Sequence, residues 1–351
     1  MPSGKTKNHE NELDALPEGA WRDSKVNSFV DFDNNYLASV QGNTHYYYTN
    51  NKLYREDITG EHEIETAEVY GCRNICPAGD YVYFINESPA SSGPYKNGRI
   101  VKYNVHTKEI FQYEGTLGAY EGYKNLAYKD GYIYYMIISY NNEQIARANP
   151  ENGEVEVLVK DRNITHYCIE GDKIYYHFYA RNSSDERISE IYSMNLDGSD
   201  NKKILELKEL LYMTSFMPYT KDGKTYIYLY STHAPGERAA FTIYDVDSDS
   251  SVLVYEDEVD TTETEGKLPL PDMTLNGDLC FSYGNGIGVL KQTTDNSWLT
   301  QKVMPAEQKE DWCVIGDYLY FTTEKEEATS THEILHRTLP DGTTQTITED
   351  K

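Results

Sequence analysis

One short motif returns seven times along this chain and restricts its fold more than any other feature. It is a turn of Gly-Asp or Asp-Gly type that runs straight into a Tyr-rich segment. The copies begin at Gly42 (GNTHYYY), Gly79 (GDYVYF), Asp130 (DGYIYY), Gly171 (GDKIYY), Asp222 (DGKTYIY), Gly277 (GDLCF) and Gly316 (GDYLYF), 37–55 residues apart. A second apolar element follows each copy, at residues 52–55, 99–103, 144–147, 190–194, 241–244, 287–290 and 333–337. Turns such as Asn152-Gly153, Asp197-Gly198 and Asp341-Gly342 then lead to short segments, as at 154–158 and 344–347. Such turn dipeptides join hairpin strands. Each unit therefore reads strand, turn, strand, loop, strand, turn, strand. Seven such units predict an all-β chain, a β-propeller of seven four-stranded blades. Residues 1–20 read as a flexible polar tether and 21–351 as a single propeller domain.

Composition agrees. There are 33 Tyr against 9 Phe and 3 Trp, and Tyr suits a half-buried pleated surface while keeping a polar handle. A net charge of −26 excludes nucleic acid and anionic membrane as main partners. No apolar run is long enough to span a bilayer. The only helix expected is a short one near residues 205–211, where leucines break strict alternation.

Cys76, Cys168 and Cys313 each lie three residues before the turn of their repeat, and Ser39, Ala127 and Thr274 fill the same slot elsewhere; Tyr219 alone departs. A slot that takes Cys, Ser, Ala or Thr is a crowded packing position. These three cysteines are expected to be buried free thiols, and five cysteines imply no disulfide framework. Cys72 and Cys76 lack a second Cys or His pair at ligand spacing. His332-Glu333-Ile334-Leu335-His336 matches a zinc-protease pattern that requires a helix. It sits in a strand slot, where residues four apart are separated by about 13 Å. No metal, cofactor or catalytic residue is therefore expected. The acidic stretch 256–266 reads as a solvated loop.

The turns within each unit are short, and every long connection (86–97, 116–124, 180–189, 206–216, 231–239, 256–272, 323–332) emerges on one face. Recognition concentrates on loops held by a rigid scaffold. Five residues before the turn, the first strands carry Asn74, Asn125, His166, Asp272 and Asp311, with Leu37 and Met217 in two other repeats. Such a polar ring either hydrogen-bonds a small polar ligand or lines a water-filled channel. Tyr95, Tyr120, Tyr123, Arg181, His233, Arg238 and Trp312 lie in or beside the long connections, as aromatic and Arg anchors do. With the ring, they are the candidate ligand-binding residues.

The segments YYTN at 47–50, YFIN at 83–86 and YFTT at 320–323 are similar to the YWTD repeat, as is the Leu196-Asp197-Gly198 turn that follows. From about Tyr36 to Ile347 the chain resembles a bacterial family of unknown function. Its members are low-density-lipoprotein-receptor-related, YWTD-like β-propellers, mostly secreted or surface proteins of Gram-positive bacteria. The resemblance supplies no catalytic residues. It implies a propeller outside the cell, tethered to a Gram-positive surface, with a lipid anchor upstream of Met1 fitting the polar start. The expected function is a monomeric, non-enzymatic binding module that recognises a protein or glycan through the loop-rich face. The alternative is a carbohydrate-active propeller enzyme, a hydrolase or lyase, with Asp and His at the channel mouth as acid and base. An intracellular scaffold is a third reading.

Overall fold

The computed structural model describes residues 38–41, 44–49, 52–57, 65–68, 72–86, 99–112, 122–139, 142–181, 187–207, 214–221, 223–232, 238–258, 272–273, 279–283, 286–292, 298–304, 309–315, 318–327, 330–339 and 343–348. Among these residues are seven four-stranded antiparallel sheets, each made of four consecutive strands in up-and-down order. The first sheet holds β1 (Ala38–Gln41), β2 (Thr44–Thr49), β3 (Lys52–Asp57) and β4 (Glu65–Glu68). The second holds β5 (Cys72–Ala78), β6 (Tyr81–Asn86), β7 (Arg99–Asn104) and β8 (Ile110–Gln112). The third is β9 (Gly122–Lys129), β10 (Tyr132–Ser139), β11 (Asn142–Ala148) and β12 (Val155–Arg162). The fourth is β13 (Ile164–Glu170), β14 (Lys173–Arg181), β15 (Arg187–Asn195) and β16 (Lys202–Glu206). The fifth is β17 (Thr214–Lys221), β18 (Lys224–Thr232), β19 (Arg238–Asp245) and β20 (Ser250–Glu258). The sixth is β21 (Asp272–Met273), β22 (Leu279–Tyr283), β23 (Gly286–Gln292) and β24 (Trp298–Met304). The seventh is β25 (Lys309–Ile315), β26 (Tyr318–Glu327), β27 (Ser330–Thr338) and β28 (Thr344–Thr348).

The first strands pack side by side, β1 on β5, β5 on β9, β9 on β13, β13 on β17 and β21 on β25, and β1 also touches β25. This order of four-stranded sheets, with the first strands innermost and the last sheet beside the first, is that of a β-propeller. The repeat turns form it locally. Asp130 and Gly131 both have positive φ (49° and 79°), the conformation of a two-residue hairpin turn that follows strand twist. In the sixth sheet Asp272 stands opposite Cys280 and Met273 opposite Leu279; the expected Gly277-Asp278 turn lies outside the described residues.

Second strands are buried on both faces, which explains their unbroken Tyr and Ile runs. Along β10, Ile133 and Tyr135 join Cys76, Tyr83 and Ile85 of the second sheet. Tyr134 and Met136 point the other way, onto Tyr167, Ile174 and Tyr176 of the fourth. The same alternation fills the interface of sheets one and two with Tyr46, Leu53, Val82 and Phe84. Between sheets four and five it places Cys168, Tyr175, Phe216 and Tyr228.

The helix expected near 205–211 is not there at its start. Leu205 and Glu206 belong to β16, with Leu205 opposite Ile191. The register slips between Ile191 and Tyr192 so that Ile204 is an extra residue; a bulge, not a helical turn, breaks the alternation. Residues 208–211 lie outside the described residues. The segment 332–336 is strand throughout, in β27. There His336 stacks on Phe321 and hydrogen-bonds the Thr323 hydroxyl through Nε2 at 2.8 Å.

Cys72, Cys76 and Cys168 are buried free thiols, and burial pushes the Cys72 thiol well up. Cys280 and Cys313 have no described side-chain environment. In a Cys280→Ser/Cys313→Ser variant, a thiol reagent should label native protein slowly and label three thiols at once in denaturant. Fast native labelling would contradict the packing at the sheet interfaces.

Candidate functional site

The polar residues at the start of the first strands turn out to mark a backbone irregularity. In the second sheet the register slips between Arg73 and Cys76, and Asn74 has a φ of 52°. In the third it slips between the partners of Tyr134 and Met136, across Asn125, which has a φ of 59°. In the fourth it slips between Ile164 and His166, at Thr165. In the seventh it slips between Lys309 and Trp312, across Asp311. In the fifth sheet, with Met217 in the slot, the pairing of β17 with β18 is regular throughout. An extra residue in left-handed conformation suits Asn, whose short amide tolerates positive φ. The polar slot is thus, first of all, a bulge.

The bulges aim side chains across sheet boundaries. Asn74 Oδ1 accepts the Asn125 backbone N–H at 3.1 Å, and the Asn125 carbonyl accepts the Tyr167 hydroxyl at 2.6 Å. Sheets two, three and four are joined in this way beneath the loop-bearing face. Asn74, Asn125 and His166 are all buried. Asn125 Oδ1 finds no partner among the described residues. His166 lies against the Phe216 ring of the fifth sheet, centroids 4.8 Å apart.

Sequence reasoning missed a hydrogen-bonded row across the fourth sheet. Thr165 Oγ1 is 2.7 Å from His166 Nδ1 and 2.7 Å from His177 Nδ1, while His177 Nε2 is 2.6 Å from Ser189 Oγ. One hydroxyl has one proton, so Thr165 donates to one imidazole and accepts from the other. The row is therefore a directed chain from β13 to β15. Burial lowers the His177 pKa from 6.5 to about 4, leaving a neutral imidazole at neutral pH. Ser189 is buried as well, so the Ser–His pair meets no bulk solvent. Only the pairing of β14 with β13 and β15 brings His177 to these partners, and no local motif announces it.

Arg181, the last residue of β14, is exposed and stands opposite Arg187. Tyr123, Arg238, Asp272, Asp311 and Trp312 are placed in β9, β19, β21 and β25 by backbone alone. Tyr95, Tyr120 and His233 lie outside the described residues. Among the described residues no group of three or more His, Cys, Asp or Glu could hold a metal ion. No described helix is long and apolar enough to cross a membrane.

No protein-family model matches the sequence, and no curated protein matches it. Solved structures share its fold. The β-propeller domain of the Trilobed protease from Pyrococcus furiosus, whose topology is described as open velcro, is 16% identical with a TM-score of 0.55, over 88% of this chain and 96% of that one. An oligogalacturonate lyase from Vibrio parahaemolyticus is 12% identical, TM-score 0.54, over 88% of both chains. A puromycin-hydrolyzing peptidase from Mycobacterium tuberculosis is 10% identical, TM-score 0.60, over 94% of this chain. The present chain spans only 56% of that peptidase and 62% of TolB from Acinetobacter baumannii. At these identities the likeness is one of fold.

Two measurements test the site. Asn74→Ala puts a residue without asparagine's tolerance of positive φ in the left-handed region and strands the buried Asn125 N–H, and should lower stability by roughly 2–4 kcal/mol in urea titrations. Asn74→Gly, which keeps only the second defect, should lose about 1 kcal/mol less. Equal losses would show that the left-handed backbone contributes nothing. For His177 the depressed pKa means that its contribution is complete above pH 6.5 and is lost as pH falls toward 4, where the unfolded chain alone is protonated. That loss amounts to about 3 kcal/mol. His177→Gln should flatten the stability-against-pH curve by one proton over this window; an unchanged slope would contradict the buried neutral imidazole.

Proposed function

We propose that this chain is a recognition module, a seven-bladed member of the YWTD-like propellers displayed outside a Gram-positive cell, that binds a protein or glycan with its loop-bearing face. The observation that carries this reading is the asymmetry of the connections. Two residues join β5 to β6, β9 to β10, β13 to β14, β17 to β18 and β25 to β26 at one face. The other face is uneven: two residues join β2 to β3, β10 to β11 and β26 to β27, where a long connection was expected, but 12 residues (87–98) separate β6 from β7 and 13 (259–271) separate β20 from β21. Chain length far beyond what the strands need, gathered at a few connections of one face, presents that face for contact. The Asn bulges beneath that face fix strand entry, and Arg181 stands exposed at its rim. Enzymes share this fold too, but a shared fold does not carry their activities to this chain.

The test is a glycan array and a panel of purified surface proteins, probed with the intact chain, followed by titration of any hit. A ligand should bind without turnover. Arg181→Ala, or residues 182–186 replaced by a two-residue turn, should weaken binding at least tenfold, whereas Lys202→Ala at the opposite end of β16 should not. Release of a cleaved sugar product, abolished by Asp272→Asn or Asp311→Asn, would replace this reading with that of a carbohydrate-active enzyme.

A further inference from the structure

Among the described residues no strand is exchanged between the first sheet, β1 to β4, and the last, β25 to β28. Side chains join them instead. Arg337 of β27 donates from Nη1 to Glu56 Oε2 at 3.1 Å and from Nη2 to Glu56 Oε1 at 3.2 Å, a fork that spans 281 residues of sequence. His45 Nδ1 lies 2.5 Å from the Tyr320 hydroxyl, and its ring meets Tyr318 edge-on at 4.8 Å. Tyr47 stacks on Tyr320. Glu56, Arg337, His45 and Tyr320 are all buried.

The tie is a modified copy of one used elsewhere in the ring. Lys102, Arg147 and Arg337 occupy the same place in their repeats, opposite Tyr83, Tyr134 and Tyr320. Lys102 reaches the Pro150 carbonyl of the third sheet at 3.4 Å, and Arg147 reaches the Leu196 carbonyl of the fourth at 3.1 Å. Their carboxylate partners are exposed: Lys102 pairs with Glu151 at 3.6 Å and Arg147 with Glu156 of its own sheet at 2.8 Å. At the seam the carboxylate is itself buried, and an imidazole is added. Arg337 Nη1 also donates to the Tyr320 oxygen at 3.3 Å. The arrangement that satisfies all three groups sends the Tyr320 proton to a neutral His45 Nδ1. A proton on Nδ1 would set N–H against O–H. It would also leave two buried cations with one carboxylate whose oxygens are both bound to Arg337.

We propose that this seam is an acid-released latch: Glu56, Arg337, Tyr320 and His45 hold the first sheet on the last at neutral pH, and protonation of His45 parts them while the other sheets stay joined. Burial, and then the Arg337 charge, bring the His45 pKa from 6.5 down to about 3. The titratable and charged groups around it are Glu56 on β3, Tyr318 and Tyr320 on β26, Arg337 on β27, and Tyr46 and Tyr47 on its own strand; β1 (ASVQ) brings none. The sign follows. The latched form needs neutral His45, and a released His45 titrates near 6.5. The latch is at full strength above pH 6.5 and weakens as pH falls toward 3, the open population rising about tenfold per pH unit.

Hydrogen exchange on the full chain between pH 7.5 and 4.5, corrected for intrinsic rates, reads this directly. Protection in peptides covering 44–57 and 318–338 should fall about tenfold per unit below pH 6.5. In a His177→Gln background, which removes the other buried imidazole that titrates in this window, peptides from 122–139, in a sheet whose strands contain no His, should lose less protection than the seam. His45→Gln should remove the pH dependence at the seam. Should that variant fail to fold, Tyr320→Phe should lower seam protection at pH 7.5 while sparing the third sheet. Seam protection that is flat with pH, equal losses in every sheet, a pH dependence that survives His45→Gln, or a Tyr320→Phe variant as protected as wild type would each overturn the proposal.

Discussion

Each sheet in this fold has two apolar faces, and the architecture follows from covering both. A four-stranded sheet that alternated apolar and polar residues could stop at one partner. Here Ile133 and Tyr135 face the second sheet while Tyr134 and Met136 face the fourth, so a sheet left with one neighbour would leave half its aromatics in water. A stack of such sheets is satisfied only when it closes on itself, which the right-handed twist between packed sheets permits. The preference for Tyr over Phe has the same origin. Tyr134 and Tyr176 are buried in the apolar layers, yet their hydroxyls emerge at the sheet edges to meet the Leu196 carbonyl and the Asn201 side chain. A Phe would fill the layer and give up both hydrogen bonds.

Local features carried much of this in the sequence. Turn dipeptides and Tyr-rich runs placed the strands because a two-residue hairpin needs positive φ, and because double burial removes the polar half of the alternation. The small-residue slot correctly anticipated buried Cys76 and Cys168. What misled were the bulges. Asn74 and Asn125 read as ligand groups because a polar residue at the start of an inner strand has two physical explanations, recognition and left-handed backbone. One sequence does not separate them. The register does, since the slip falls on the Asn-bearing strands and spares the strand with Met217. The leucines near 205 misled for the same reason. The row of Thr165, His177 and Ser189 was not legible, because its members come from three strands and meet only through pairing register.

Bulge and recognition are nonetheless compatible roles at these positions. A bulge fixes where a strand leaves the sheet and so where the adjoining loop begins. Asn74 holding the Asn125 N–H, and Tyr167 holding the Asn125 carbonyl, set the spacing of three sheets just below the loops they carry. A rigid rim lowers the entropy lost when loops order around a ligand. On this view the polar slot serves the binding face indirectly, by positioning, even where its side chains touch no ligand.

The chemistry at the seam answers a problem that the repeat itself creates. All the sheets offer similar Tyr-rich faces, so the first could pack on a sheet other than the last. A buried ion pair adds little net stability over a well-packed apolar contact, because desolvating both charges offsets their attraction. It does make an unmatched pairing costly: Glu56 against any face without Arg337 is a buried charge alone. Placing the carboxylate on the first sheet and the guanidinium on the last therefore selects one closure among many similar ones. The same desolvation that makes the pair selective also keeps His45 neutral. Specific closure and sensitivity to acid are in this fold two consequences of one choice, a carboxylate and an imidazole buried together at one contact between sheets.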